Sequence, residues 1–216
     1  MKKIITILFI IAAPVIYFYM QGEPPVSSGQ DNSMIDYSKD PIQEEYKTKD
    51  VLTTKNDDVE FQIYPVAKYK IAAVVASKKN YNSSWNGWEG KLAPIDLALI
   101  WGKLPSPEYR KYIRYSQSSR FYFYRYELDS PVDKGYIGPH SSNHHIIPAN
   151  DNIYRALKKL EEDQSVELDG YLVNIKGVYK GRDIWWNSSL TRTDSGDGAC
   201  ELFYVTKIRF GGNIYQ

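Results

Sequence analysis

Hydrophobic positions fall along this chain in three regimes: an unbroken apolar run from Ile4 to Met20, a polar stretch over 21–58, and short alternating or periodic segments from Val59 onward. Val59 to Tyr64 and Tyr69 to Ser77 alternate or run apolar with β-branched residues, predicting two strands separated near Pro65. Asn80 to Gly90 reads as a long loop carrying Trp85 and Trp88. Pro94 to Leu99 predicts a short buried helix ending by Gly102, and Ser106-Pro107-Glu108 predicts a second short helix, with Ser as cap and Pro at its first position.

The pattern is sharper further on. Arg120 to Leu128 places Phe121, Phe123 and Arg125 on one side and Tyr122, Tyr124 and Tyr126 on the other, which predicts a strand with two aromatic faces. Asn150 caps a helix whose Ile153, Ala156, Leu157 and Leu160 share one face. Val166 to Ile175 predicts a strand in which Gly170 marks a bulge or sharp bend. Ile184 to Leu190 and Cys200 to Phe210 predict two strands joined as a hairpin by a polar, glycine-rich turn over 193–198. The expected fold is α+β and β-rich: a small, partly open antiparallel barrel of the oligonucleotide and oligosaccharide-binding (OB-like) type with inserted helices, behind an N-terminal transmembrane helix.

The apolar run is uncharged for 17 residues after Lys2 and Lys3, a reach of about 25 Å as a helix. The two lysines favour a cytoplasmic N-terminus. The bulky end of the run, Ile16-Tyr17-Phe18-Tyr19-Met20, favours an uncleaved signal anchor over a cleaved signal peptide. The reading is therefore 1–20 as membrane anchor or signal segment, 21–58 as polar stalk and 59–216 as globular domain. It places the protein as single-pass in the inner (cytoplasmic) membrane, contacting it through residues 4–20, with the C-terminal domain on the periplasmic side.

Composition refines this picture in two respects. With 43% hydrophobic and 14% aromatic residues the chain is too apolar for disorder. Its 27 basic and 26 acidic residues give no field that would draw in polyanions. Cys200 is the only cysteine, so no intrachain disulfide forms.

Three stretches stand out as motifs: Tyr115 to Arg125 (YSQSSRFYFYR), His140 to Ala149 (HSSNHHIIPA), and Ser188 to Arg192 running on through Gly198-Ala199-Cys200-Glu201. Together they resemble an uncharacterised family of bacterial membrane-anchored envelope proteins. The resemblance implies an envelope address and carries no activity, cofactor or partner.

All three histidines, His140, His144 and His145, lie within six positions. Neutral imidazoles ligate zinc and copper, but Gly138, Pro139 and Pro148 point to an irregular loop without a shared helix face, so no metal is assigned. Thiol catalysis would need Cys200 beside a base such as His144, with Asp194 or Asn143 orienting it. Asp194 to Gly198 could bend around a cation but lacks the ligand sequence of an EF-hand. G-x-S-x-G, S-x-x-K and H-E-x-x-H are absent. Arg110, Lys111, Arg114, Arg120 and Arg125 interleave with tyrosines, a composition that suits stacking on bases or sugars beside phosphate contacts; the favoured reading is a strand whose rings fill the core, with arginines stacked on tyrosines or paired to carboxylates.

The expected ligand-binding set is Arg120, Tyr122, Tyr124, Arg125, Ser141, Asn143 and His144. A catalytic alternative draws on His144, Asp194, Arg192 and Cys200. The leading expectation is a noncatalytic envelope binding module whose partner is an envelope protein or cell-wall polymer and not nucleic acid. The runner-up is a hydrolase or transferase built on the 140–145 histidine loop.

Overall fold

The computed structural model describes residues 23–47, 50–56, 59–82, 86–192, 196 and 198–216. Its first half contains strands β1 (Gly29–Gln30), β2 (Ile42–Glu45), β3 (Leu52–Asn56) and β4 (Val59–Asn80), helix α1 (Gly87–Leu92), β5 (Ile95–Ile100), α2 (Pro107–Arg110), β6 (Ile113–Ser118) and β7 (Phe121–Tyr126). The second half contains α3 (Lys134–Ile137), a 3-10 turn at Gly138–His140, β8 (Ser141–Pro148), α4 (Asp151–Lys159), β9 (Ser165–Tyr179), β10 (Arg182–Asn187), β11 (Glu201–Phe210) and β12 (Asn213–Tyr215).

β4 organises the sheet. It is one strand of 22 residues, not two divided near Pro65. Proline lacks the N–H that a ladder needs, yet β4 passes through it because the register against β9 shifts between Pro65 and Ala67, the kind of bulge in which a strand tolerates proline. Along its length β4 pairs with β3, β2, β9 and β5, each antiparallel. β1, β2 and β3 lie within the stretch read as a polar stalk; β1 adds to β12, and β2 and β3 add to β4.

Five strands pair in a cycle: β4 with β5, β5 with β8, β8 with β11, β11 with β9, and β9 with β4. They belong to a ten-stranded mixed sheet among the described residues. This corrects the expected small, partly open antiparallel barrel. β8 and β11 run parallel because α4, β9 and β10 lie between them in the chain, a crossover long enough to bring β11 back in the same direction. The predicted transmembrane helix, single-pass inner-membrane address and periplasmic placement are also corrected. Among the described residues no helix is long and apolar enough to cross a membrane, and the run 4–20 lies outside those residues.

Other local readings shift for identifiable reasons. Ile95–Ile100 is a strand, not a helix; all six residues are buried between β4 and β8, and so short an apolar run fits either period. The histidine stretch is strand β8, with only Gly138–His140 irregular. β10 pairs with β9 and not with β11, so the expected 184–210 hairpin does not form, and 193–195 and 197 lie outside the described residues. The helix capped by Asn150 is α4, where the Asn150 side chain accepts from Ile153 N at 2.9 Å. Its Ile153, Ala156 and Leu157 are buried in the main core with Tyr69, Leu97, Trp101 and Phe203.

Gly170 marks a close approach and not its own bulge. A Cβ there would collide with the carbonyl of Tyr204 and lie 3.1 Å from Val205 Cα. The register shift lies opposite, between Val205 and Lys207 of β11. Because both obstacles are backbone, neither can swing aside. Gly170→Ala is therefore expected to cost about 2–3 kcal/mol, read as a lower urea midpoint at unchanged slope; an unchanged midpoint would show that the two strands can part without loss.

Candidate functional site

The three histidines do not form one site. β8 alternates its faces, so His144 and His145 point in opposite directions. His144 is fully buried against Tyr69 and Phe203, with the Tyr69 hydroxyl 3.3 Å from Nε2 and Ser142 Oγ 3.4 Å from Nδ1. Burial, with the neighbouring His145 a lesser cause, holds its pKa down at about 3. His140 stacks on Tyr136 at 3.6 Å, with Nδ1 2.9 Å from the Tyr136 carbonyl. Among the described residues no group of three or more His, Cys, Asp or Glu is placed to hold a metal.

His145 leads to the site. It sits directly across from Asp96 of β5, and antiparallel partners on one face are close neighbours. Nδ1 of His145 lies 3.0 Å from Asp96 Oδ2, off the line of a straight hydrogen bond, so neither atom has a well-aligned partner. Asp96 is completely buried and its Oδ1 accepts from Arg120 Nη1 at 2.6 Å. Arg120 also donates to the Ala93 carbonyl at 2.9 Å and lies over the Tyr81 ring at 3.9 Å. A buried carboxylate survives only with such partners.

Arg120 reaches Asp96 from the tip of a separate two-stranded sheet, β6 with β7. The tip residues Ser119 and Arg120 have φ of 51° and 71°, the left-handed region that two-residue hairpin turns require and that non-glycine residues enter at a cost. The surroundings hold the tip in place. Arg120 N donates to the Tyr81 hydroxyl at 2.9 Å, and the Arg120 carbonyl accepts from Asn143 Nδ2 at 2.9 Å. Asn143 accepts in turn from Gln117 Nε2 at 2.6 Å. Cys200 joins the same group, its Sγ 3.6 Å from Asn143 Nδ2.

Above this floor opens a cleft of about 540 Å³ lined by Trp88, Arg120, Phe121, His145, Trp185, Trp186 and Cys200 among others. Trp186 packs on His145 with ring centres 4.7 Å apart and meets Trp88 edge to face. An adjoining cleft of about 380 Å³ shares Phe121 and Cys200 and is lined by Tyr122, Tyr124, Ser141 and Arg192. The motifs at 115–125, 140–149 and 188–201 thus meet in space.

The expected binding residues divide accordingly. Arg120 and Asn143 build the floor. Tyr122 lies on the inner face of β7, with its hydroxyl 2.9 Å from Ser141 Oγ and burial pushing its pKa up to about 12. Ser141 is buried and donates to the Ile137 carbonyl. Tyr124 packs between Tyr122 and Tyr126. Arg125 is exposed opposite Arg114, on the face of β7 that carries Phe121, and does not line either cleft. Arg192 donates to the Pro41 carbonyl at 3.1 Å, and Asp194 lies outside the described residues. Asp96 and Trp186 were missed, and His145 was named only among the three clustered histidines. One signal pointed to Asp96: it is the only charged residue between Leu92 and Trp101, and a lone charge in an apolar run has to be paired.

No family model matches the chain, and no curated protein or solved structure is similar to it.

Two outcomes test this geometry. The unfolded state takes up a proton at His144 near the ordinary value of about 6.5, whereas the folded state resists until about 3. Stability is therefore lost as pH falls through that window, by up to about 1.4 kcal/mol per pH unit. His144→Gln should flatten that slope in denaturation series run at successive pH values, and an unchanged slope would place the titration elsewhere. Arg120→Ala, which leaves the Asp96 carboxylate buried without its cation, should cost about 3 kcal/mol by chemical denaturation.

Proposed function

We propose that the domain is a binding module that seats a glycan strand in the cleft above Asp96 and His145. The observation carrying this reading is a pair of exposed rings on separate hairpins at the cleft wall: Trp185 of β10 at 71% exposure and Phe121 of β7 at 40%. Large apolar side chains displayed around a polar floor favour a ring-bearing ligand that is apolar on its faces and polar at its edges. Trp185 is shared with a further groove of about 1070 Å³ that also takes in Gln62, Lys91 and Tyr179, which gives room for more than one ring and favours a polymer. A nucleic acid fits less well. Arg120, the cation nearest the cleft floor, is already engaged by Asp96, and a chain of net charge +1 offers no surplus to neutralise phosphates.

The test is a tryptophan-emission titration of the full chain with peptidoglycan fragments and neutral oligosaccharides, with an oligonucleotide alongside. Saturable change with a glycan is expected, weakened about two- to tenfold in Trp185→Ala, since one aromatic contact contributes about 0.5–1.5 kcal/mol; four tryptophans remain to report in that variant, from the 5 in the chain. Saturation with the oligonucleotide alone, or with none of them, would remove the glycan reading.

A further inference from the structure

The outer face of the β6–β7 hairpin carries a charge arrangement that the fold itself does not use. Arg114 of β6 and Arg125 of β7 are directly opposite partners on that face, and both are exposed. Residues so opposed in an antiparallel pair have Cβ atoms about 5 Å apart, and like charges there destabilise the pair. By contrast, Arg110 bridges to Asp163, Arg120 to Asp96, and Arg209 to Asp31 and Glu167. Among the described residues neither Arg114 nor Arg125 has an ion pair or a side-chain hydrogen bond, and exposed Glu127, just past the end of β7, pairs with neither.

Two exposed rings share this face with the arginines. Phe121 stands opposite Ser118 and Phe123 opposite Ser116, at 40% and 52% exposure. Phe121 lines both clefts, so the face runs from the cleft mouth past Phe123 to the arginine pair. Phe121 to Arg125 is a span of roughly 14 Å at the rise of an antiparallel strand. A guanidinium presents a planar fork of donors that matches a carboxylate. Two of them on facing strands can close on one such anion, whose charge then offsets their mutual repulsion. A sugar ring with an acid group at its edge satisfies both halves of the face: the rings take its apolar side and the arginines its charge.

We infer that the glycan seated at the cleft is an acidic one, that it continues over the outer face of the β6–β7 hairpin, and that Arg114 and Arg125 hold a carboxylate on one of its rings. This inference rests on the glycan reading and narrows it to a substrate class. It calls for one anionic group at one place, unlike the run of phosphates in a nucleic acid, so a net charge of +1 is sufficient.

The test titrates the full chain, by tryptophan emission, with a neutral cello-oligosaccharide and with the same oligomer oxidised to glucuronate. The acidic oligomer should bind about three- to tenfold tighter at low ionic strength, the range that exposed charge contacts supply, and the difference should shrink as salt is raised. In the double variant Arg114→Gln, Arg125→Gln the two oligomers should bind alike, and the urea midpoint should be no lower than in the wild type because the repulsion is gone. Equal affinity of the wild type for both oligomers overturns the inference and leaves the glycan reading standing; this arm needs no variant. A preference kept by the double variant overturns it by placing the anion elsewhere, and a lowered midpoint overturns it by making the arginines structural. No saturable response to either oligomer overturns it as well, while the glycan reading is judged by its own titration with peptidoglycan fragments.

Discussion

The Asp96 carboxylate is the constraint around which the functional face is arranged. It sits at the second position of β5, a strand buried along its whole length, where an unpaired charge costs several kcal/mol. Two demands follow from that position. A cation has to be delivered from outside the sheet, and a donor has to stand across from it. Arg120 meets the first; His145 stands across from the carboxylate, with Nδ1 3.0 Å from Oδ2 but off the line of a straight hydrogen bond. Arg120 can do so only if the β6–β7 hairpin lies down over β8 with its tip tucked against Tyr81 and Asn143. The left-handed tip residues are the local cost of that reach. The aromatic cleft is the space left between this hairpin, α1 and β10.

What the chain revealed in advance depended on whether an element declares itself by its own pattern. β7 and α4 do: strict alternation of Phe and Tyr marks one, and a capping Asn followed by an apolar face marks the other. β5 does not, since six apolar residues in a row satisfy either a strand or a helix. β8 was concealed for the opposite reason. Its Ser141, Asn143, His144 and His145 are polar and yet buried, because their neighbours arrive from Tyr122, Gln117, Tyr69 and Asp96, none of them adjacent in sequence. Long-range pairing supplies what local composition withholds.

The candidate site shows the same division. Arg120, Asn143 and Cys200 could be singled out as residue types in conspicuous motifs, but which histidine mattered could not. Adjacent residues on a strand differ completely in environment. His144 is a neutral core group among Tyr69 and Phe203, while His145 faces the cleft. Choosing between them requires the β5–β8 register, and a shift of one residue would exchange their roles.

The cyclic pairing of β4, β5, β8, β11 and β9 also governs how the chain can reach its native state. β4 must find β9 a hundred residues later, with Phe61 opposite Gly177, and β11 must slot in parallel beside β8 while also meeting β9. Most of the ladder is therefore non-local, the topology associated with slow folding. During synthesis the cycle stays open until β11 has left the ribosome, so β8, once made, and then β9 keep uncovered the edges that β11 will pair with. For this molecule the interval between making residue 59 and making residue 210 is the period of greatest exposure to aggregation.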